Sequence, residues 1–464
     1  MTSWLPDLSR FAGPRYRAIA EALAADIREG RLTAGTRLPT HRDLAWRLHV
    51  TVGTVSRAYA EAERRGLIGG EVGRGTFVRE PVSARVLSFV RPEPERADFI
   101  DFSFNYPIVG DEAPALAAVL ARLAGSNDLD AFLHYSPSAG RPADRAAGAA
   151  WMARSGLETG AERVVLANGG QHALATVLSA LTRAGDIVAT ESLTYPGMRA
   201  LANLLDLRLV GLAMDEDGLL PDAFEAACRG GAIKALYTMP TLHNPTTAIM
   251  PEERRRAVAA IARRHGVAIV EDDVYGFLLD AQPVPIANLV PELGFFIGST
   301  SKSMAPGLRI GYVHAPLAWI DRLAAAMRAT TYMATPLMAE IASLWINDGV
   351  ADALVAAKRR AATTRRRIVE TALAGARFRS HPAAFHLLLS LPDAWHADDF
   401  AAEARRRGVG LTQAAAFAVG RGSAPNAVRL CFGTPASDTL LERGLRIVTD
   451  LLAEAPQQAD LAVI

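Results

Sequence analysis

The sequence predicts a multi-domain chain. A small, mainly α module spans residues 12–80, a linker spans 81–97, and a large α/β body spans 98–454 and ends in a smaller α+β portion. Three observations predict this division. Residues up to about 80 read as three short helices followed by a glycine-rich hairpin. Glu80 to Ala97 gathers Pro81, Pro92 and Pro94 among charged residues, the composition of a linker. From Asp98 onward, apolar strand-like runs alternate with alanine- and arginine-rich helices, which predicts a mostly parallel sheet covered by helices.

In order, Arg15–Glu29 repeats Ile19, Leu23 and Ile27 on one helical face, and Gly30 and Gly35 break it. Thr40 is a candidate N-cap for a short helix reaching about Leu48. After the turn at His49-Val50, a longer helix runs from about Thr51 to Arg65 and closes at Gly66. Leu67-Ile68, Glu71-Val72 and Thr76-Phe77-Val78 flank Gly73-Arg74-Gly75 as a two-stranded hairpin. This is the layout of a winged helix-turn-helix. The strands expected in the larger body are Val164–Ala167, Asp186–Thr190, Ala235–Thr238, Ala268–Glu271 and Phe295–Gly298. A helix containing Arg359–Arg367 leads into the α+β portion, and the tail from Glu454 is expected to fray.

Composition narrows the function classes. The formal net charge of the 464 residues is +1 and half of them are hydrophobic, so no bulk charge demands nucleic acid or membrane. No apolar run approaches the roughly 18 residues needed to span a bilayer, and the first ten residues lack a signal-peptide core. Two cysteines, Cys228 and Cys431, are too few for a disulfide framework or zinc cluster. A cytoplasmic protein with no metal is expected. Charge is uneven, however: residues 1–80 hold 13 arginines, no lysine and 9 acidic residues, a basic excess suited to DNA.

The chemistry centres on Lys302, in Ser299-Thr300-Ser301-Lys302 after the apolar run Leu293–Gly298. A lysine desolvated at a strand end has a lowered pKa and can attack a carbonyl as an amine. Neighbouring serines and Arg309 can hold a phosphate. Amine, hydroxyls and guanidinium together suit pyridoxal 5'-phosphate (PLP) held as a Schiff base. Upstream, Asn168-Gly169-Gly170-Gln171 follows a strand and opens a helix, whose N–H groups can bind phosphate.

This segment resembles the PLP-lysine signature of the aspartate aminotransferase fold, fold type I, and further motifs recur in that family's order. The resemblance implies that Gly170, Gln171, Ser299 and Arg309 hold the cofactor phosphate and that Tyr195 stacks on the ring. Asn244, in Tyr237-Thr238-Met239-Pro240-Thr241-Leu242-His243-Asn244-Pro245, and Tyr275 would share the ring hydroxyl oxygen. Asp272, three residues before Tyr275, would pair with the pyridine nitrogen and make the ring an electron sink. Asp273 is the competing carboxylate. Arg429 matches the clamp for an amino acid carboxylate. Tyr135 resembles the tyrosine that reaches a neighbouring subunit's phosphate, which implies a homodimer.

At the other end, Gly35–Ala45, Thr54-Val55-Ser56-Arg57-Ala58-Tyr59 and Gly73–Val78 resemble the GntR family of winged-helix regulators. Arg42, Thr54, Arg57 and Arg74 are then the candidate contacts to double-stranded operator DNA, through base edges or phosphates. The two halves together resemble the MocR subfamily. That implies a dimeric, DNA-binding transcriptional regulator that senses PLP or a PLP-amine adduct through Lys302. The second reading is an active PLP-dependent aminotransferase with an appended DNA-binding domain, because Lys302, Asp272, Tyr275, Asn244 and Arg429 are all present.

Overall fold

The structure, a computed structural model, describes residues 4–8, 11, 13–28, 31–33, 35–64, 67–71, 75–78, 99–105, 110–126, 129–420 and 424–454. They fall into two compact units, Met1–Pro94 and Glu95–Ile464. The expected linker over 81–97 lies outside the described residues, as do Arg74 and the tail beyond Glu454.

The first unit contains α1 (Arg15–Arg28), α2 (His41–Arg47) and α3 (Val52–Arg64), then β1 (Ile68–Glu71) paired antiparallel with β2 (Gly75–Val78). Thr40 caps α2: its hydroxyl accepts from the Asp43 N–H at 3.2 Å, satisfying a donor the helix cannot. The apolar faces read from the sequence meet in one core of Ile19, Leu23, Leu44, Val55, Tyr59, Ile68 and Val78. Tyr59 donates its buried hydroxyl to the Pro39 carbonyl at 2.9 Å, which fixes the entry to α2 against α3.

The second unit is built on a seven-stranded sheet. Its strands are β3 (Val164–Ala167), β4 (Ile187–Glu191), β5 (Arg208–Leu212), β6 (Ile233–Thr238), β7 (Ala268–Asp272), β8 (Gly294–Ser299) and β9 (Gly311–His314). They lie in the order β3-β9-β8-β7-β6-β4-β5. All neighbours are parallel except those of β9, which runs antiparallel between β3 and β8. Neither β5 nor β9 is among the strands expected from the sequence, and β9 alone departs from the parallel direction. It is a short run of four residues, set off from the lysine motif by the turn at Pro306-Gly307. Both faces of the sheet are buried, so these strands read as apolar runs rather than alternations. Val165, Ala167, Phe295 and Ile297 pack on one side. Val164, Leu166, Phe296 and Tyr312 pack on the other, against Trp151 and Met152 of α4 (Pro142–Ala153).

Four helices then matter to the site: α5 (Gly170–Leu181), α6 (Pro196–Leu204), α7 (Thr300–Ser303) and α8 (Val350–Ala372). The last leads into a four-stranded antiparallel sheet of β10 (Phe378–Arg379), β11 (His386–Ser390), β12 (Thr412–Gln413) and β13 (Ala427–Cys431). The short strand Ile100–Asp101 joins this α+β portion by pairing with Val409–Gly410. Among the described residues no helix is long and apolar enough to cross a membrane.

Candidate functional site: a buried lysine at the ends of the sheet strands

Lys302 sits on the one-turn helix α7, directly after β8. Ser299 ends the strand and caps that turn, accepting from the Ser301 N–H at 3.2 Å. Burial, more than any neighbour, pushes the Lys302 amine down to about 8. Its Nζ donates to the backbone carbonyl of Asn105.

Asp272 closes β7 and is 6% exposed. Tyr237 of β6 donates its hydroxyl to Asp272 Oδ2 at 2.7 Å, while Oδ1 is buried with no hydrogen-bond partner. Burial raises this carboxyl to about 7, opposed by the Tyr237 hydrogen bond. Asp273 points differently: its Oδ1 accepts from the Gly276 N–H at 3.1 Å and holds the turn after the strand. Asp273 lies just past the end of the strand, and its hydrogen bond to the turn distinguishes it from Asp272, the carboxylate that spacing ranks first.

Gly170, Ser299 and Arg309 converge at the N-terminus of α5. Gly169 precedes that helix at φ +86°, and an added Cβ there would lie 2.5 Å from Arg309 Nη2. An added Cβ at Gly170 would lie 3.3 Å from Ser299 Cβ. Arg309 is itself left-handed at φ +53°, a costly conformation for a non-glycine residue, found where the surroundings fix it. Gln171 is turned aside, with its Nε2 on the Gly197 carbonyl at 3.0 Å. Tyr195 opens α6, and its hydroxyl is pushed up to about 12 by burial first and by the charge of Asp272 second.

Asn244 is held by its own shell. Arg255, 1% exposed, donates to the Pro240 carbonyl (2.8 Å) and Thr241 Oγ1 (2.7 Å), and pairs with buried Glu271 at 3.3 Å. That clamp fixes the loop leading to the cis Asn244-Pro245 bond. Asn244 Oδ1 accepts from Arg429 Nη1 at 2.9 Å. The buried Arg429 guanidinium also lies 4.8 Å from the Phe417 ring centroid and donates to the Ser103 carbonyl. The two cations expected to meet ligand, Lys302 and Arg429, are therefore both bridged by the segment Ser103–Asn105.

Tyr135 is not gathered with these residues. It is 80% exposed and packs on Tyr332, ring centroids 4.7 Å apart. Three residues escaped the sequence reading: Tyr237, Asn105 and His386. Tyr237 lay inside a motif already singled out. Asn105 and His386 carry no local signal, being 281 residues apart in the chain. A cavity of about 500 Å³, lined by Trp151, Met152, Asp273, Phe277, Phe296 and Arg359, reaches this site only at Ser299. Its lining excludes Lys302, so the reactive amine and its partners mark the chemistry better than cavity size does.

In the first unit, Arg42 and Arg57 are exposed on α2 and α3. Thr54 shares a hydrogen bond with Thr51 at the start of α3 (2.9 Å), and the Arg57 guanidinium lies 5.6 Å from the Tyr16 ring.

Comparison with known proteins agrees with this division. The family described as aminotransferase class I and II matches residues 97–446, and bacterial regulatory proteins, gntR family, matches residues 15–78. The chain is 32% identical over 451 residues to the uncharacterized HTH-type transcriptional regulator YdeF of Bacillus subtilis (strain 168), covering 97% of each. It is 28% identical to the probable rhizopine catabolism regulatory protein MocR of Rhizobium meliloti, covering 72% of each. In fold, the kynurenine aminotransferase of Pyrococcus horikoshii superposes with a TM-score of 0.72 at 22% identity, covering 81% of this chain and 95% of that one. The chain belongs to the MocR subfamily of GntR-type transcriptional regulators, with a DNA-binding helix-turn-helix domain joined to an aminotransferase class I and II domain.

Proposed function

We propose that this regulator binds PLP covalently at Lys302, and that PLP, or PLP joined to an amine ligand, is the signal that alters its hold on operator DNA. The reading rests most on the pairing of a desolvated amine with Asp272, whose buried Oδ1 has no protein partner. An unpaired buried carboxylate oxygen is costly unless a ligand donor meets it. A protonated pyridine nitrogen is such a donor. The N–H groups that open α5 have no intrahelical partners, and with Ser299 and Arg309 they make a fitting cradle for a phosphate. The glycines at 169 and 170 leave it room. When bound, PLP supplies a carbonyl for a Schiff-base link and a ring that accepts electrons. The protein's own residues bind and orient it. Tyr237 steadies Asp272, Asn244 and Tyr275 would hold the ring oxygen, and Arg429 would offer a fork to a ligand carboxylate. Tyr135, exposed here, is assigned to a partner subunit's phosphate in a homodimer. For sensing to work, the ligand must bind two arrangements of the protein unequally.

A test is Lys302→Ala in the full chain. It should abolish the visible absorbance of bound PLP and change transcription of the target promoter, with thermal unfolding showing a folded protein. Regulation left fully intact would sink sensing through Lys302. A second reading, turnover as an aminotransferase, draws on the complete set of Lys302, Asp272, Asn244, Tyr275 and Arg429 in one cluster. It requires that an added amino acid convert the bound cofactor spectrally and release a keto acid.

A further inference from the structure

Asn105 lies beyond the short strand Ile100–Asp101 and is 6% exposed. Its side-chain nitrogen lies 3.0 Å from the Tyr275 hydroxyl and 2.9 Å from His386 Nδ1. His386, in β11 and 1% exposed, has its other ring nitrogen, Nε2, 3.4 Å from the His243 carbonyl. A carbonyl can only accept, so Nε2 carries the proton of a neutral ring and Nδ1 is left as an acceptor. The ring is neutral because burial, reinforced by the charge of Arg429, holds it down at about 3. This tautomer fixes the Asn105 amide, whose nitrogen must face His386. One amide hydrogen then goes to His386 and the second to the Tyr275 oxygen. Tyr275 Oη is thereby an acceptor toward Asn105, and its own proton is left for an acceptor within the site.

We propose that His386 and Asn105 are positioning residues that make Tyr275 a hydrogen-bond donor to the ligand oxygen bound beside Lys302. This deepens the reading above and rests on it, since there that oxygen is the ring hydroxyl oxygen of PLP. The polarity of the relay runs from the His243 carbonyl through the imidazole and the amide to the phenol. Reversing any member would turn the phenol proton back toward the protein. The donor also stabilises an anionic ring oxygen, so it lowers the pH at which the Lys302–PLP link loses its proton. Asn105 has a second tie to the same link, because its backbone carbonyl accepts from Lys302 Nζ.

The experiment is a pH titration of the visible absorbance of the full-length protein loaded with PLP. Wild type, His386→Leu, His386→Gln, Tyr275→Phe and the Tyr275→Phe/His386→Leu double variant are compared. His386→Leu should move the midpoint to higher pH by about half a unit or more, the scale of one modest hydrogen bond. His386→Gln, whose carbonyl can still accept from Asn105, should keep the wild-type midpoint. In the Tyr275→Phe background, His386→Leu should add nothing. Asn105→Ala gives the same expectation as His386→Leu should the leucine variant fail to fold. An unmoved midpoint in both, or an equal shift without the Tyr275 hydroxyl, would overturn the proposal and leave PLP binding standing. Wild type with no PLP-dependent visible band would overturn both together.

Discussion

Burial moves Asp272 and Lys302 in opposite directions, the carboxyl up to about 7 and the amine down to about 8. In each case loss of water disfavours the charged form. The consequences for stability fall in different pH windows. The folded value of Asp272 lies above its ordinary 3.8, so its contribution is present at low pH and is lost as pH rises from about 4 through about 7. Lys302 lies below its ordinary 10.5, so its contribution is present above that value and is lost as pH falls through about 8. Asp272→Asn removes only the first effect. In cofactor-free protein the variant should gain stability relative to wild type between pH 5 and pH 8, on the order of 1–3 kcal/mol. Urea unfolding at the two pH values measures it, and a difference independent of pH would mean that Asp272 is not desolvated.

The junction of β3 with α5 is where an element becomes a binding feature. Gly169 takes φ +86°, which L side chains rarely adopt, and the Arg309 guanidinium fills the space where a Cβ would be. Gly169→Ala should therefore combine backbone strain of about 1–3 kcal/mol with displacement of Arg309. Retention of PLP in equilibrium dialysis should fall by about tenfold or more, the equivalent of 1.4 kcal/mol in binding. Gly185→Ala is the control, because it shares a positive φ of +88° but has open space around it. It should lose stability and keep PLP. Equal loss of PLP in both would mean that strain alone, not Arg309, is responsible.

At the scale of the whole molecule, the basic excess of the first unit should be visible in salt dependence. Arg42 and Arg57 are exposed on α2 and α3, where counterion release would follow the neutralisation of any DNA phosphate. The Arg42→Ala/Arg57→Ala variant should bind operator fragments more weakly. Its slope of log affinity against log salt should flatten by about 1 for each phosphate that an arginine no longer neutralises. Weakening without a change of slope would assign these arginines to base edges instead. Repeating the titration with and without PLP tests whether the signal acts on DNA affinity.

Much of this architecture is written locally. The N-cap at Thr40 and the strand end at Ala167 depend on neighbours a few residues away, while the strands expected to end at Glu271 and Gly298 each run one residue further, to Asp272 and Ser299. Periodicity and capping chemistry suffice to find such features, whereas the roles of Asn244 and its neighbours came from the resemblance of their motifs. The family followed from the order of those motifs. What the tertiary structure decided are relations between distant segments. The direction of β9 was not legible, because an apolar run buried on both faces does not declare whether it runs parallel or antiparallel to its neighbours. Asp272 was preferred over Asp273 from its spacing to Tyr275, and the folded chain adds the Tyr237 hydroxyl from the next strand as its partner. Asn105 and His386 had no signal at all, because their hydrogen bond exists only once the Ile100–Asn105 segment crosses the site and meets β11. Sequence by itself determined the two-part family and named Lys302, Asp272 and their partners as the residues proposed to carry the chemistry. Only the folded chain decided which way their protons point, because polarity in a buried network is set by partners that no local spacing records.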